Sequence, residues 1–103
     1  MWKRACRADE VPANGLKQVA VEDGPTVVIA NAGTDFFAYQ AYCPHEDVAL
    51  AEGVHDGSVL TCLEHFWQFD LHTGEPRGDA EAPLTAYKLK HEGGELYLWV
   101  EAS

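Results

Sequence analysis

Glycine and proline recur at intervals of about ten residues along this chain, and the segments between them are short and rich in Val, Thr, Phe, Tyr and Trp. Such segments fold as strands joined by hairpins, because β-branched and aromatic side chains suit a pleated surface while glycine and proline suit its turns. Amphipathic windows of helical length are absent. The expectation is an all-β barrel or sandwich with strands over 17–21, 26–31, 36–42, 58–62, 66–70, 86–90 and 95–101. In the last of these Leu96, Leu98 and Val100 alternate with Tyr97 and Trp99, so one face is aliphatic and the other aromatic. Trp2, Arg4 and Cys6 are expected on one face of an N-terminal strand, with Cys6 a small buried apolar residue. The stretch 44–54 and the surroundings of Glu64 fit a strand least well.

A chain of 103 residues suits one domain, 1–103. Its 17 acidic residues against 7 basic ones, a formal net charge of -10, argue against nucleic acid or an anionic membrane surface as partner, since either requires Lys and Arg. A partner with a basic face is expected instead. The longest aliphatic stretch, 27–30, is far below the roughly 20 residues needed to span a bilayer, and no basic start leads into an apolar signal core, so the expected location is the cytoplasm. There an odd set of cysteines, Cys6, Cys43 and Cys62, points to metal chemistry more than to a disulfide framework.

Two of those cysteines keep close company with histidine. Cys43-Pro44-His45 and Cys62-Leu63-Glu64-His65 each offer one thiol and one imidazole, and the sixteen residues between His45 and Cys62 are enough for an out-and-back hairpin. Tetrahedral zinc accepts two Cys and two His, but structural zinc sites usually group the cysteines in one knuckle and place the histidines on a helix. A Cys43–Cys62 disulfide leaves both histidines unexplained. A [2Fe-2S] cluster with two cysteines on one iron and two histidines on the other uses all four.

The mixed pairs, with Ala38-Tyr39-Gln40-Ala41 before the first, Leu50-x-Glu52-Gly53 after it, and His65-x-Trp67-x-Phe69 and Thr73-Gly74-Glu75 after the second, resemble the signature of Rieske ferredoxins. The resemblance runs from about Trp2 to about Val100 and is nearest to the ferredoxin components of multicomponent oxygenases of the toluene 4-monooxygenase type. It implies a Rieske fold with a small cluster-binding subdomain at 43–65. It further implies one [2Fe-2S] cluster held by Cys43 and Cys62 on the inner iron and by His45 and His65 on the outer one. Pro44, Trp67 and Pro83, the last in an Ala82-Pro83-Leu84 loop, are implied to shield the cluster. Trp67 is also a candidate electron exit.

The function so implied is carriage of single electrons. The donor would be an NADH-dependent flavin and iron–sulfur reductase, the acceptor the terminal hydroxylase of a monooxygenase, and the carrier a monomer that is not itself an enzyme. A ferredoxin of an aromatic-ring dioxygenase is the alternative within the class, and a zinc-stabilised interaction module the alternative outside it. High-potential Rieske proteins carry an extra cysteine in each loop and Ser and Tyr hydroxyls toward the sulfur atoms; here Val48, Glu64, Trp67 and Phe69 stand at those places. A potential in the lower part of the family's span follows.

Between Glu46 and Glu81 nine acidic residues face a single basic one, Arg77. Glu46, Asp47 and Glu64, nearest the ligand positions, are the candidates for docking a basic partner. His55, His72 and His91 lie in or beside turns with no cysteine at ligand spacing and are expected to be ordinary polar residues.

Overall fold

Val27, Val28, Ile29 and Ala30 form an unbroken apolar run, the pattern of a strand buried on both faces. In the computed structural model, which describes residues 1–33, 35–44, 48–64, 66–78 and 80–101, that strand lies inside a central sheet. The chain forms β1 (Trp2–Arg7), β2 (Leu16–Ala20), β3 (Thr26–Asn31), β4 (Phe36–Gln40), β5 (Val54–His55), β6 (Val59–Thr61), β7 (Gln68–Asp70), β8 (Pro76–Arg77), β9 (Ala86–Tyr87), β10 (Leu89–Glu92) and β11 (Glu95–Trp99). Short 3-10 turns occupy Ala8–Glu10 and Leu50–Glu52. Three antiparallel sheets result, in the orders β1-β11-β10, β2-β3-β4-β9 and β5-β6-β7-β8. No helix among the described residues is long and apolar enough to cross a membrane.

The central sheet feeds two cores. Val27, Ile29 and Ala38 join Cys6, Val19, Leu96 and Leu98 on one side, while Val28, Ala30 and Tyr39 join Leu50, Leu60, Phe69, Leu71, Leu84 and both Cys43 and Cys62 on the other. Alternate residues of β3 and β4 therefore divide between the cores, as the period of a strand requires.

The aliphatic face of β11 is buried at Leu96 and Leu98, while Trp99 on its other face meets Trp2 edge-on with centroids 5.3 Å apart. Cys6 is buried as expected, but not on the face of Trp2 and Arg4. The register of β1 against β11 shifts between Arg4 and Cys6, so that Trp2 and Arg4 sit opposite Trp99 and Tyr97 while Cys6 sits opposite Leu96. A bulge inserts one residue and turns the following side chain inward. Burial also raises the Cys6 thiol above its ordinary pKa, which keeps it protonated and apolar.

The strand expected over 86–90 is two strands. Ala86 and Tyr87 pair with β4 in the central sheet, and Leu89 onward pairs with β11 in the outer one. The chain changes sheets at Lys88.

Candidate metal centre

Cys43 and Cys62 occupy equivalent places on two loops, 43–48 and 62–67. The Cys43 N–H donates to the Val48 carbonyl at 2.9 Å, and the Cys62 N–H donates to the Trp67 carbonyl at 2.8 Å. Outside each closure stands one antiparallel pair, Tyr42 with Ala49 and Thr61 with Gln68. Pro44 suits the first loop because it is exposed in a turn and has no N–H to leave unpaired. Both cysteines are buried in the same core. Two thiols buried in one apolar core, at the bases of matched loops, are a donor set that fits an iron–sulfur cluster held from its inner side. His45 and His65, expected to complete the set, lie outside the described residues, as do Glu46 and Asp47.

The residues around the loops explain the flanking motif. The Gln40 side chain donates from Nε2 to the Tyr42 carbonyl at 2.7 Å and accepts the Thr85 N–H on Oε1 at 2.8 Å. It thereby ties the root of the first loop to the segment bearing Pro83. Pro83 is exposed, while its neighbour Leu84 is buried in the core of the two cysteines. Gln40 is thus a positioning residue for which the only sequence signal is its place in the Ala38-Tyr39-Gln40-Ala41 run. Trp67 is half-buried against the same core, its ring 6.3 Å from that of Phe69. Glu64 is exposed on the second loop.

Tyr39, the neighbour of Gln40, points into the cysteine core, where its hydroxyl donates to the Leu71 carbonyl at 2.7 Å. Burial pushes its pKa from 10 up to about 12. A raised pKa means that the neutral phenol stabilises the fold fully below about pH 10 and that this stability is lost as pH rises toward 12. Tyr39→Phe is expected to cost about 1–2 kcal/mol at neutral pH, by leaving the Leu71 carbonyl unpaired. The variant should also lose less stability than the parent between pH 10 and 12; equal alkaline slopes in urea melts would refute the assignment.

The other histidines are engaged by groups other than the cysteines. His55 accepts the Gly57 N–H on Nδ1 and donates from Nε2 to the Gly15 carbonyl, His72 lies 3.1 Å from the Gly57 carbonyl, and His91 meets Phe36 edge-on. Asp70, at the end of β7, accepts the N–H groups of His72 and Thr73 and pairs with Arg77, which holds its carboxyl below the usual range. Four of the six remaining basic side chains gather elsewhere, with Lys17 on β2 and Lys88 at the change of sheets. Lys3, Arg4, Arg7 and Lys90 lie on the three-stranded outer sheet, across the central sheet from the cysteine core.

Phe66 departs from local rules. Three described residues other than glycine have positive φ: Asn14 at 57°, Asp23 at 55° and Phe66 at 58°. Asn and Asp tolerate that region because their short side chains hydrogen-bond locally, whereas a phenylalanine there is strained by about 1–2 kcal/mol. Phe66 is also 69% exposed, so burial does not offset the strain.

The fold is thus a three-sheet β protein that sets two matched cysteine loops over one shared core. Residues 1–88 match the family described as Rieske [2Fe-2S] domain. The ferredoxin subunit of methanesulfonate monooxygenase from Methylosulfonomonas methylovora is 41% identical, covering 96% of this chain and 80% of that protein. The biphenyl dioxygenase ferredoxin subunit of Pseudomonas sp. strain KKS102 is 36% identical, covering 92% and 88%. Among solved structures, the complex of reduced oxygenase and oxidized ferredoxin in carbazole 1,9a-dioxygenase contains a chain that superposes with a TM-score of 0.84 at 26% identity, covering 94% of this chain and 91% of that one. The chain belongs to the Rieske [2Fe-2S] family, and its relatives are ferredoxin components of monooxygenases and dioxygenases.

Proposed function

We propose that this protein carries single electrons from an NADH-dependent flavin and iron–sulfur reductase to the terminal hydroxylase of a multicomponent monooxygenase, as one domain, 1–103, in the cytoplasm. The observation that carries the reading is the pair of matched loops closed at Cys43 and Cys62 over one core. A [2Fe-2S] cluster, when bound, supplies a reversible one-electron store. In this reading Cys43 and Cys62 grip it as thiolates from the core side, and His45 and His65 grip it from the outer side. Pro44, Trp67 and Pro83 exclude water, and Gln40 fixes the Pro83 segment against the first loop. Glu46, Asp47 and Glu64 attract the basic face of a partner. Val48, Glu64, Trp67 and Phe69 offer no thiol or hydroxyl to the cluster's sulfur atoms, which favours the lower end of the roughly -150 to +300 mV span of such centres.

Electron paramagnetic resonance of the dithionite-reduced protein tests the centre. A rhombic signal with an average g below the free-electron value is expected, and silence in an iron-replete sample would leave the zinc module. Steering has its own test. The bimolecular rate of electron delivery is expected to fall severalfold between about 50 and 300 mM salt, because screening weakens attraction between the acidic loops and a basic partner. A rate insensitive to salt would exclude steering. A dioxygenase as acceptor is the second reading, favoured by the 36% identity to the biphenyl dioxygenase ferredoxin subunit. Turnover with each kind of purified oxygenase separates the two.

A further inference from the structure

Phe66 combines two features that a folding role does not require: a left-handed backbone, φ 58°, and 69% exposure, the highest of the exposed large apolar residues. Strain at a residue whose side chain contributes little to the core is a mark of function. It stands between the ligand position His65 and Trp67, whose carbonyl closes the second loop. Leu63 on the same loop is 48% exposed and Tyr42 at the root of the first is 45% exposed, with Pro44 exposed beside it. The loops over the cysteine core thus present apolar surface next to the exposed carboxylate of Glu64. Aromatic anchors surrounded by polar groups concentrate binding energy at protein interfaces, and an acidic surround selects a partner with a basic rim.

We infer that Phe66 is the anchor that docks this carrier into an apolar, basic-rimmed recess of the terminal oxygenase. The inference rests on the carrier reading above. The occupant is the oxygenase rather than the reductase because an oxygenase is what accompanies the ferredoxin in the carbazole 1,9a-dioxygenase complex. The left-handed backbone at Phe66 sets the direction in which its side chain leaves the loop before docking, so less backbone freedom is lost on binding.

Cluster-loaded Phe66→Gly and Phe66→Ala proteins test this against the parent. Glycine adopts φ 58° freely, so Phe66→Gly should raise Tm by about 5 °C, while Phe66→Ala keeps the strain and should not. Both should raise the KM of the oxygenase for the reduced carrier about tenfold, while the rate of reduction by the reductase stays within about twofold of the parent. The reduction potential should be unchanged in both. A KM within about twofold of the parent in both variants overturns the inference, as does an equal loss toward the reductase, or a lower Tm in Phe66→Gly, which would make the ring structural. If the parent itself supports no oxygenase turnover, the carrier reading falls and this inference with it. If the parent turns over and the variants match it, this inference falls alone.

Discussion

Cys43→Ala and Cys62→Ala proteins, made separately, are expected to purify without iron or acid-labile sulfide and without visible absorption, whereas Cys6→Ala retains all three. The three thiols are similar in burial, at 4%, 2% and 4% exposed for Cys43, Cys62 and Cys6, so exposure does not separate them. Position does. Cys43 and Cys62 begin loops of the same closure and meet in one core, while Cys6 lies opposite Leu96 in the other core, across the central sheet. In the proposed ligand set, removing either loop thiol would take one of two inner ligands, and a cluster whose inner iron kept a single thiolate would not be retained. Ligand binding to the native state alone adds to folding stability, so the empty variants should also melt well below the parent, by about 10 °C or more. Full iron content in either loop variant would remove that cysteine from the ligand set.

The same contrast shows what the sequence makes legible. Strand β3 coincides with its expected bounds because an unbroken apolar run between turn residues has few other folds open to it. The alternation in β11 is read correctly for a similar reason. The position of Cys6 is not, because periodicity assumes an unbroken register and the bulge after Arg4 carries no glycine to announce it. Strands β5 and β8, two residues each, are too short to have a period at all. The split at Lys88 is hidden because both halves are extended, and only pairing with β4 or β11 distinguishes them. At the site, mixed Cys and His spacing brings Cys43 and Cys62 to one core in advance, since the chemistry dictates the residue types. The strain at Phe66 and the bridging by Gln40 depend on backbone geometry that residue identity does not encode.

Gly53→Ala is expected to be the most damaging single methyl that can be added near the site. Gly53 has φ -84°, which any residue adopts, so its requirement is space and not backbone freedom. A Cβ there would stand 2.2 Å from the Thr61 carbonyl oxygen and 3.1 Å from that of Leu50. Neither obstacle is a flexible side chain. The Thr61 carbonyl belongs to β6 directly before Cys62, and the Leu50 carbonyl already accepts the Gly53 N–H at 2.9 Å, closing the turn that follows the first loop. The methyl group can be admitted only by driving the turn over Leu50–Glu52 away from β6, which separates the segments that position Cys43 and Cys62. Overpacking against fixed backbone should cost about 3 kcal/mol or more, lowering Tm by about 12 °C or more. Iron content after purification should fall as well. Gly57→Ala is the matched control. Its φ of 92° strains an alanine, but nothing lies within 4 Å of the added carbon, so it should cost only about 1 kcal/mol and leave iron content unchanged. If the two variants melt together and load iron alike, the close approach of Gly53 to Thr61 does not govern the spacing of the loops.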